Sequence, residues 1–385
     1  MKETTRRGKD YTTEQALHLA FDLGEGKWKL AFGVGLGHNA RQRVIEARDL
    51  TAFEREVRLA KQRFGLPETV PVQSCYEAGR EGFWLHRYLV AQGIENLVVD
   101  SSSIEVNRRK RRAKTDRLDA AKLLSMLMRY SIGEKRVWRV VQVPSVEAED
   151  GRHLHRQLLT HKRDKTRHAN RIHGLLATQG LRLSLSADFQ EGLETVRLWD
   201  GSRVPPGLRA RLEGEYVGWQ FVQLQIQKLE AKRAEMIRTS QDPAVDKVRQ
   251  LLKLRGIGEN SSWLFVMEFF GWRQFRNRRE VGGLAGLAPT PYQSGGQAHE
   301  QGISKAGNRP VRAMTIEIAW CWLRYQPDSD LARWYWKNFG HGGKRLRRVG
   351  IVALARRILV ALWRYLETGE LPAGAQLKPE AVQVS

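Results

Sequence analysis

The order of strand-like and helix-like runs in the first 145 residues constrains this chain more than any other feature. Leu17 to Leu23 (Leu-His-Leu-Ala-Phe-Asp-Leu) has strand character, Gly24-Glu25-Gly26 supplies a turn, and Lys27 to Val34 returns as a second strand. Arg41 to Ala47 is a third strand candidate, and Leu50 to Phe64 has helical spacing. Pro71 to Cys75 then reads as a short apolar strand, Gly79 to Gln92 as a helix, and Asn96 to Asp100 as another strand. That β-β-β-α-β-α-β order predicts a mixed sheet flanked by helices. Past a basic run, Thr115 is an N-cap candidate for a helix from Asp116 to about Tyr130, and Val137 to Val143 has the character of one more strand.

The remainder is different in kind. Residues 1–16 are polar and are expected to form a flexible arm ahead of a first domain over 17–145. Residues 146–240 are expected to form a helical stalk of two long antiparallel helices joined near Gly201 to Gly207. Leu208, Val222, Leu229 and Met236 repeat at one heptad position, and Leu212, Trp219 and Ile226 at another; Glu215 and Arg233 interrupt the seam. Such a seam serves an intramolecular helix pair or a dimer equally well. Residues 241–370 read as a mainly helical domain with Gly-rich interruptions, and 371–385 as a disordered tail.

Charge narrows the partners. There are 65 Lys and Arg against 42 Asp and Glu, a formal net charge of +23. An excess of that size draws polyanions, and each phosphate contact releases counterions. DNA or RNA is therefore the expected partner. A membrane is not, because no window approaches the roughly 18 consecutive apolar residues of a spanning helix, and Arg356, Arg357 and Arg364 interrupt the most apolar run, Val349 to Leu366. Two cysteines, Cys75 and Cys321, are too few for a disulfide framework, and with no secretion signal a cytoplasmic protein is expected. The run Arg108, Arg109, Lys110, Arg111, Arg112 and Lys114 is a candidate nucleic-acid contact.

Four carboxylates stand out against this basic background. Asp22 ends the first strand and Glu77 follows the short apolar strand, each just ahead of a glycine. Side chains at strand ends emerge into the crevice where α/β proteins place their sites. Asp116 and Asp119 are three apart, so on a helix they face the same way. Brought together, the four would not all stay ionised without a counter-cation. A pair of Mg²⁺ ions would relieve that repulsion and polarise a scissile phosphate. Each acid also has a plain structural role open to it, as a turn residue, a surface acid or a helix-start acid.

Phe-Asp-Leu-Gly at 21–24, Tyr-Glu-Ala-Gly at 76–79 and Lys-Thr-Asp-Arg-Leu-Asp-Ala at 114–120 resemble the DEDD motif of a group of insertion-sequence transposases. The N-terminal domain of that group is similar to the RuvC Holliday-junction resolvases. Leu254 to Gly258, Gly286 to Pro289, Gln293 to Gly295 and Ile303-Ser304-Lys305-Ala306-Gly307-Asn308 resemble the group's second domain, so the likeness runs in order from about residue 17 to 330. The resemblance implies a ribonuclease-H-like (RuvC-like) α/β domain, a helical coiled-coil middle and a mainly α C-terminal domain. It further implies an RNA-guided recombinase, in which a noncoding bridge RNA pairs with donor and target DNA and Asp22, Glu77, Asp116 and Asp119 hold Mg²⁺. The serine it implies as nucleophile, forming a covalent protein–DNA link, is Ser294; Ser304 is the competitor. Its two halves must meet, in one chain or across a dimer or tetramer. In an active complex the protein is expected on the nucleoid.

Other segments carry two meanings. Gly256 and Gly258 resemble a helix–hairpin–helix turn offering N–H groups to a phosphate, and a helix-joining turn fits as well. Lys305, in a Lys-Ala-Gly context, is a further phosphate-contact candidate. Trp272 and Phe275, among arginines, suit stacking on unpaired bases or packing in a core. Two other functions share these features: a structure-specific nuclease with water as attacker, and a nucleic-acid-binding protein without activity. The second leaves the four acids unexplained.

Overall fold

A computed structural model describes residues 15–104, 116–294 and 297–379, with the side chains of 116–119 and 291–301 excepted. The chain divides after Val143 into two compact units.

The first unit is built on a five-stranded sheet of order β3-β2-β1-β4-β5, from β1 (Leu17–Leu23), β2 (Lys27–Gly33), β3 (Arg41–Glu46), β4 (Val72–Glu77) and β5 (Glu95–Val99). β1 to β3 form an antiparallel meander, and β4 and β5 run parallel to β1. Period-two alternation sorts the side chains of the sheet. Leu17, Leu19, Phe21, Trp28 and Tyr76 face one way, into a core closed by α1 (Leu50–Arg63) and α2 (Trp84–Ala91). Ala20, Ala31 and Cys75 face the other way, under α3 (Asp116–Ser131), and are small enough for its Leu123, Leu124 and Leu127 to lie close on the sheet. Val137 to Val143 does not form a full strand. It makes one antiparallel bridge, Val99 to Val140, with Val141 N–H donating to Val98 O at 2.7 Å and Asp100 N–H to Arg139 O at 2.9 Å.

The second unit begins with α4 (Val146–Ala177) and α6 (Pro206–Thr239). They pack antiparallel within the chain: Lys162 of α4 meets Glu230 of α6 at 2.8 Å, while the later His168 and Arg171 meet the earlier Glu215 at 2.6 and 2.9 Å. The α6 seam faces α4, with Leu212, Val222 and Ile226 buried. Its two interruptions are paired, Glu215 with the Arg171 charge and by a hydrogen bond with His168, and Arg233 with Glu259 at 3.5 Å. The joint between the helices is longer than expected. It contains α5 (Phe189–Thr195) and a packed cluster in which Phe189 stacks on Tyr216 at 4.5 Å.

Beyond α6 come α7 (Pro243–Leu252), α8 (Glu259–Phe265), a π-helical turn at Val266–Phe270 and α9 (Arg278–Leu284). The hairpin β6 (Pro289–Ser294) and β7 (Gln297–Ile303) follows, then α10 (Arg309–Tyr325), α11 (Asp330–Tyr335) and α12 (Lys344–Thr368). Leu251, Trp263, Phe269, Trp322, Leu354 and Leu362 lie in one continuous core. The segment from residue 371, expected to be disordered, is bound as far as it is described. Leu377 bridges to Leu254, Gln326 Nε2 donates to the Gln376 carbonyl at 2.8 Å, and Lys378 Nζ donates to Ile257 O at 2.8 Å. Among the described residues no helix is long and apolar enough to cross a membrane.

One buried group makes stability depend on pH. His155 on α4 is fully buried, and neither ring nitrogen has a hydrogen-bond partner among the described residues. Burial lowers its pKa from 6.5 to about 4, so it is neutral in the fold. The unfolded chain takes up that proton near pH 6.5, so the stability from a neutral His155 is complete above 6.5 and is lost as pH falls through about 4. The loss amounts to about 3 kcal/mol. Urea midpoints at pH 7.5 and 4.5 are expected to differ markedly less in His155→Leu than in the native chain. An equal pH dependence in both would rule His155 out as the source.

Candidate active site

Asp22 and Glu77 end neighbouring parallel strands. The β1–β4 register pairs Phe21 with Tyr76, so Asp22 and Glu77 are the next matched positions. Both have the parity of Ala20 and Cys75, which places them on the α3 face of the sheet. The Cys75 thiol records the acid beside it: burial pushes its pKa up, and the Glu77 charge pushes it further, so this cysteine stays protonated. Across the hairpin, Lys29 pairs with Asp22 in register and brings Nζ to 3.7 Å from Oδ2.

α3 runs against β4. Ser131 Oγ near its end donates to Gln73 Oε1 at 2.8 Å, and Cys75 Sγ lies 3.9 Å from the Leu123 carbonyl. From Leu123 back to Asp119 the helix rises roughly 6 Å, and from Cys75 to Glu77 the strand advances roughly 7 Å. The backbone of the first turn of α3 therefore lies toward the sheet edge where Asp22 and Glu77 end. The side chains of Asp116 and Asp119 lie outside the described residues. Among the described residues no group of three or more His, Cys, Asp or Glu is placed to hold a metal ion.

Ion pairs tie the loops after these strands together. Arg80 pairs with Glu25 at 2.7 Å, joining the β1–β2 turn to the loop after β4. Arg48, in the left-handed region at φ 68°, donates to both oxygens of Glu81 at 3.2 and 2.7 Å, and Trp84 Nε1 adds a third bond at 3.1 Å. Burial works to raise the Glu81 carboxyl, but these donors outweigh it and hold its pKa below the ordinary value.

In the second unit Ser294 is the last residue of β6, directly opposite Gln297, so it stands at the tip of the hairpin. Ser304 stands at the base, where its N–H donates to Ala288 O at 2.8 Å. The seven-residue β7 separates them by roughly 20 Å, so a single reaction centre takes one of them and not both. Lys305 is exposed in the left-handed region at φ 55°, with its N–H bonded to Gly286 O at 3.1 Å. The Ile303–Asn308 strand of chain is clasped to 284–288: a Cβ on Gly307 would lie 2.2 Å from Leu284 O, and one on Gly286 would lie 2.4 Å from Ala306 O.

Two segments that carried two readings are packed into the fold. The Gly256 turn does not present an open row of amides, because the N–H groups of Arg255, Ile257 and Gly258 bond to Gln376 O, Leu254 O and Ser261 Oγ. Gly256, at φ 83°, packs against Tyr325 and joins helices. Phe275 packs with Phe269, Phe270 and Trp363, and Arg273 covers the Trp272 ring at 4.1 Å, so neither aromatic is an open stacking platform. Arg108, Arg109, Lys110, Arg111, Arg112 and Lys114 lie outside the described residues.

Sequence reasoning passed over Glu268. It is buried in the π-helical turn and accepts from Arg156 at 2.7 and 3.1 Å, while Arg273 donates to its carbonyl at 3.0 Å. A lone acid within Phe265-Val266-Met267-Glu268-Phe269-Phe270 was the available signal. A buried acid persists only when paired, and this pair fastens α4 to the C-terminal core.

Comparison with known proteins finds transposases. Residues 248–333 match the family model described as Transposase IS116/IS110/IS902 family. A transposase of Sinorhizobium fredii, y4rJ, is 38% identical over 94% of this chain and 95% of its own length. A family 20 transposase of Pseudomonas aeruginosa is 28% identical over 59% of this chain and 66% of its own. The transposase for insertion sequence element IS1111A of Coxiella burnetii is 23% identical over 78% of each. Near-complete coverage by the Sinorhizobium relative, together with the family match across the Gly286–Gly307 clasp, shows that the chain belongs to the IS116/IS110/IS902 family of insertion-sequence transposases.

Proposed function

We propose that this chain cuts and rejoins DNA strands to move an insertion sequence, using an acidic, RuvC-like site on the first unit and Ser294 on the second. The observation that carries this reading is the register of β1 on β4, matched through Phe21 and Tyr76, which brings Asp22 and Glu77 next along adjacent parallel strands, on the face that α3 covers. Oxygen donors at a sheet edge suit a hard divalent cation. Asp22, Glu77, Asp116 and Asp119 would hold Mg²⁺, which when bound would polarise the scissile phosphate and lower the pKa of an attacking hydroxyl. Lys29, beside Asp22, supplies a positive charge for a phosphate oxygen. Ser294 Oγ forms a bond to phosphorus as one strand oxygen leaves and takes up a proton. One phosphoester replaces another, so the reverse step reseals a strand without ATP. The family resemblance supports a noncoding bridge RNA and an assembly of two or four copies as partners in the reaction.

The test is a covalent adduct. Purified protein, with its co-purified RNA, Mg²⁺ and duplexes bearing the ends of its element, is expected to give a protein–DNA species that survives denaturing electrophoresis. Ser294→Ala is expected to lose that species and keep DNA affinity within about twofold. An adduct formed undiminished by Ser294→Ala rejects the serine; cleavage by the native chain with no adduct assigns the attack to water.

A further inference from the structure

α12 has two dissimilar long faces. Ile351, Leu354, Ile358 and Leu362 are buried in the core. The opposite face alternates cations with aliphatic residues, Arg345, Val349, Val352, Arg356, Val360 and Arg364, and lines a cleft of about 1750 Å³ shared with α10, α11 and the base of the β6–β7 hairpin. That exceeds the roughly 300–1,000 Å³ of a small-molecule pocket. Of the charged side chains lining it, ten are Arg or Lys and two are carboxylates, and one of these, Asp330, already pairs with Arg333. Lys344, Arg345 and Arg348 are exposed at its mouth, and none forms an ion pair with a described residue. The floor is apolar and aromatic. Leu346 and Val349 are 46% and 48% exposed, and half-buried Trp334 packs edge-on to Phe339 while the Arg357 guanidinium lies 3.8 Å over its ring.

We propose that this cleft binds an unpaired stretch of DNA, with bases on the apolar floor and phosphates along the arginine rim. A duplex hides its bases and has nothing to offer an apolar floor, whereas unpaired strands are held by a cationic groove lined with stacking surfaces. A protein segment would need many carboxylates to match ten cations. A DNA strand is the unpaired strand that the proposed cutting and rejoining would present to this unit. The inference rests on the DNA-processing function above and adds that a strand is held open near the hairpin that carries Ser294.

Binding of single-stranded oligodeoxynucleotides to the full-length protein tests it. Removing bases to leave abasic sites is expected to weaken binding by the native protein at least about tenfold, because base stacking carries affinity in such grooves. Leu346→Ser with Val349→Ser is expected to do the same without altering the salt dependence. Both residues are exposed enough for the fold to tolerate the change. Arg345→Ser with Arg348→Ser is expected to reduce the salt slope by about 1.4, at about 0.7 per phosphate contact. Native affinity for abasic strands, or floor variants that bind like the native chain, would overturn the proposal. A ribo-oligomer bound more tightly than its deoxy counterpart, or floor variants that change only the oligomeric mass, would overturn it in favour of RNA or protein. If adduct formation survives while the cleft arms fail, the cleft alone is wrong; if the native protein binds no DNA, both are.

Discussion

Asp22→Asn and Glu77→Gln are each expected to lower strand cleavage about a thousandfold, a loss of about 4 kcal/mol in transition-state stabilisation. Both replacements keep the shape of the side chain and remove its charge. Asp22 and Glu77 are matched positions on neighbouring strands whose cores lie below them, so neither substitution touches Phe21, Tyr76 or the α1–α2 packing. Thermal melts and DNA affinity are therefore expected to stay near native values while cleavage and adduct formation vanish. The side chains at issue are partly exposed, with 31% of Asp22 reachable by solvent, which suits a ligand that must meet substrate. The measurement is the cleaved fraction of a labelled duplex across a Mg²⁺ titration, followed with each variant and with chelator. Native cleavage by either variant would remove the acidic pair from the chemistry and leave the strand-end arrangement without a catalytic purpose.

Gly307→Ala is expected to destabilise the second unit by about 3–5 kcal/mol, lowering its melting temperature by roughly 10 °C or more. The cause is geometric. Gly307 has φ 112°, which an L side chain rarely adopts, and the new Cβ would lie 2.2 Å from Leu284 O, 2.8 Å from Leu284 C and 3.1 Å from Gly286 N. Those atoms are backbone and cannot swing aside. The same contact holds Lys305 N–H on Gly286 O and Asn308 N–H on Leu284 O, so moving it also shifts the base of the hairpin and the cap of α10. Gly283→Ala is the control: a Cβ there meets nothing within 4 Å, and in helix α9 it is expected to be neutral or to stabilise by about 0.5–1 kcal/mol. Chemical denaturation of the two variants beside the native chain reads both. Equal stability of Gly307→Ala and Gly283→Ala would show that the clasp yields easily.

The first unit was largely legible in the sequence because its signals are local. Alternation along Leu17 to Leu23 and Val72 to Cys75 marks strands, and it also assigns Asp22 and Glu77 to one face once the sheet is known. The helical seam of α6 was equally legible, and its interruptions were not errors in the pattern: Glu215 and Arg233 meet charges supplied by α4 and α8. Glu268 escaped notice because nothing in its own segment shows that Arg156, 112 residues earlier, will be its partner. The Gly256 turn and Phe275 kept two readings in the sequence for the same reason, since the segments that pack against them, 376–378 and Trp363, lie about a hundred residues away.

By itself the sequence determined the mixed β-rich first unit, the helical remainder, the strongly cationic surface and the residue types offered for chemistry. These depend on side-chain periodicity and charge, which neighbouring residues carry in full. Only the tertiary structure decided that Asp22 and Glu77 stand side by side, that the heptad seam is satisfied by α4 of its own chain, and that arginines of α12 share a cleft with the hairpin base. Strand order, helix direction and the burial of distant partners come from closing one core over many segments at once. No single window of the chain contains that information.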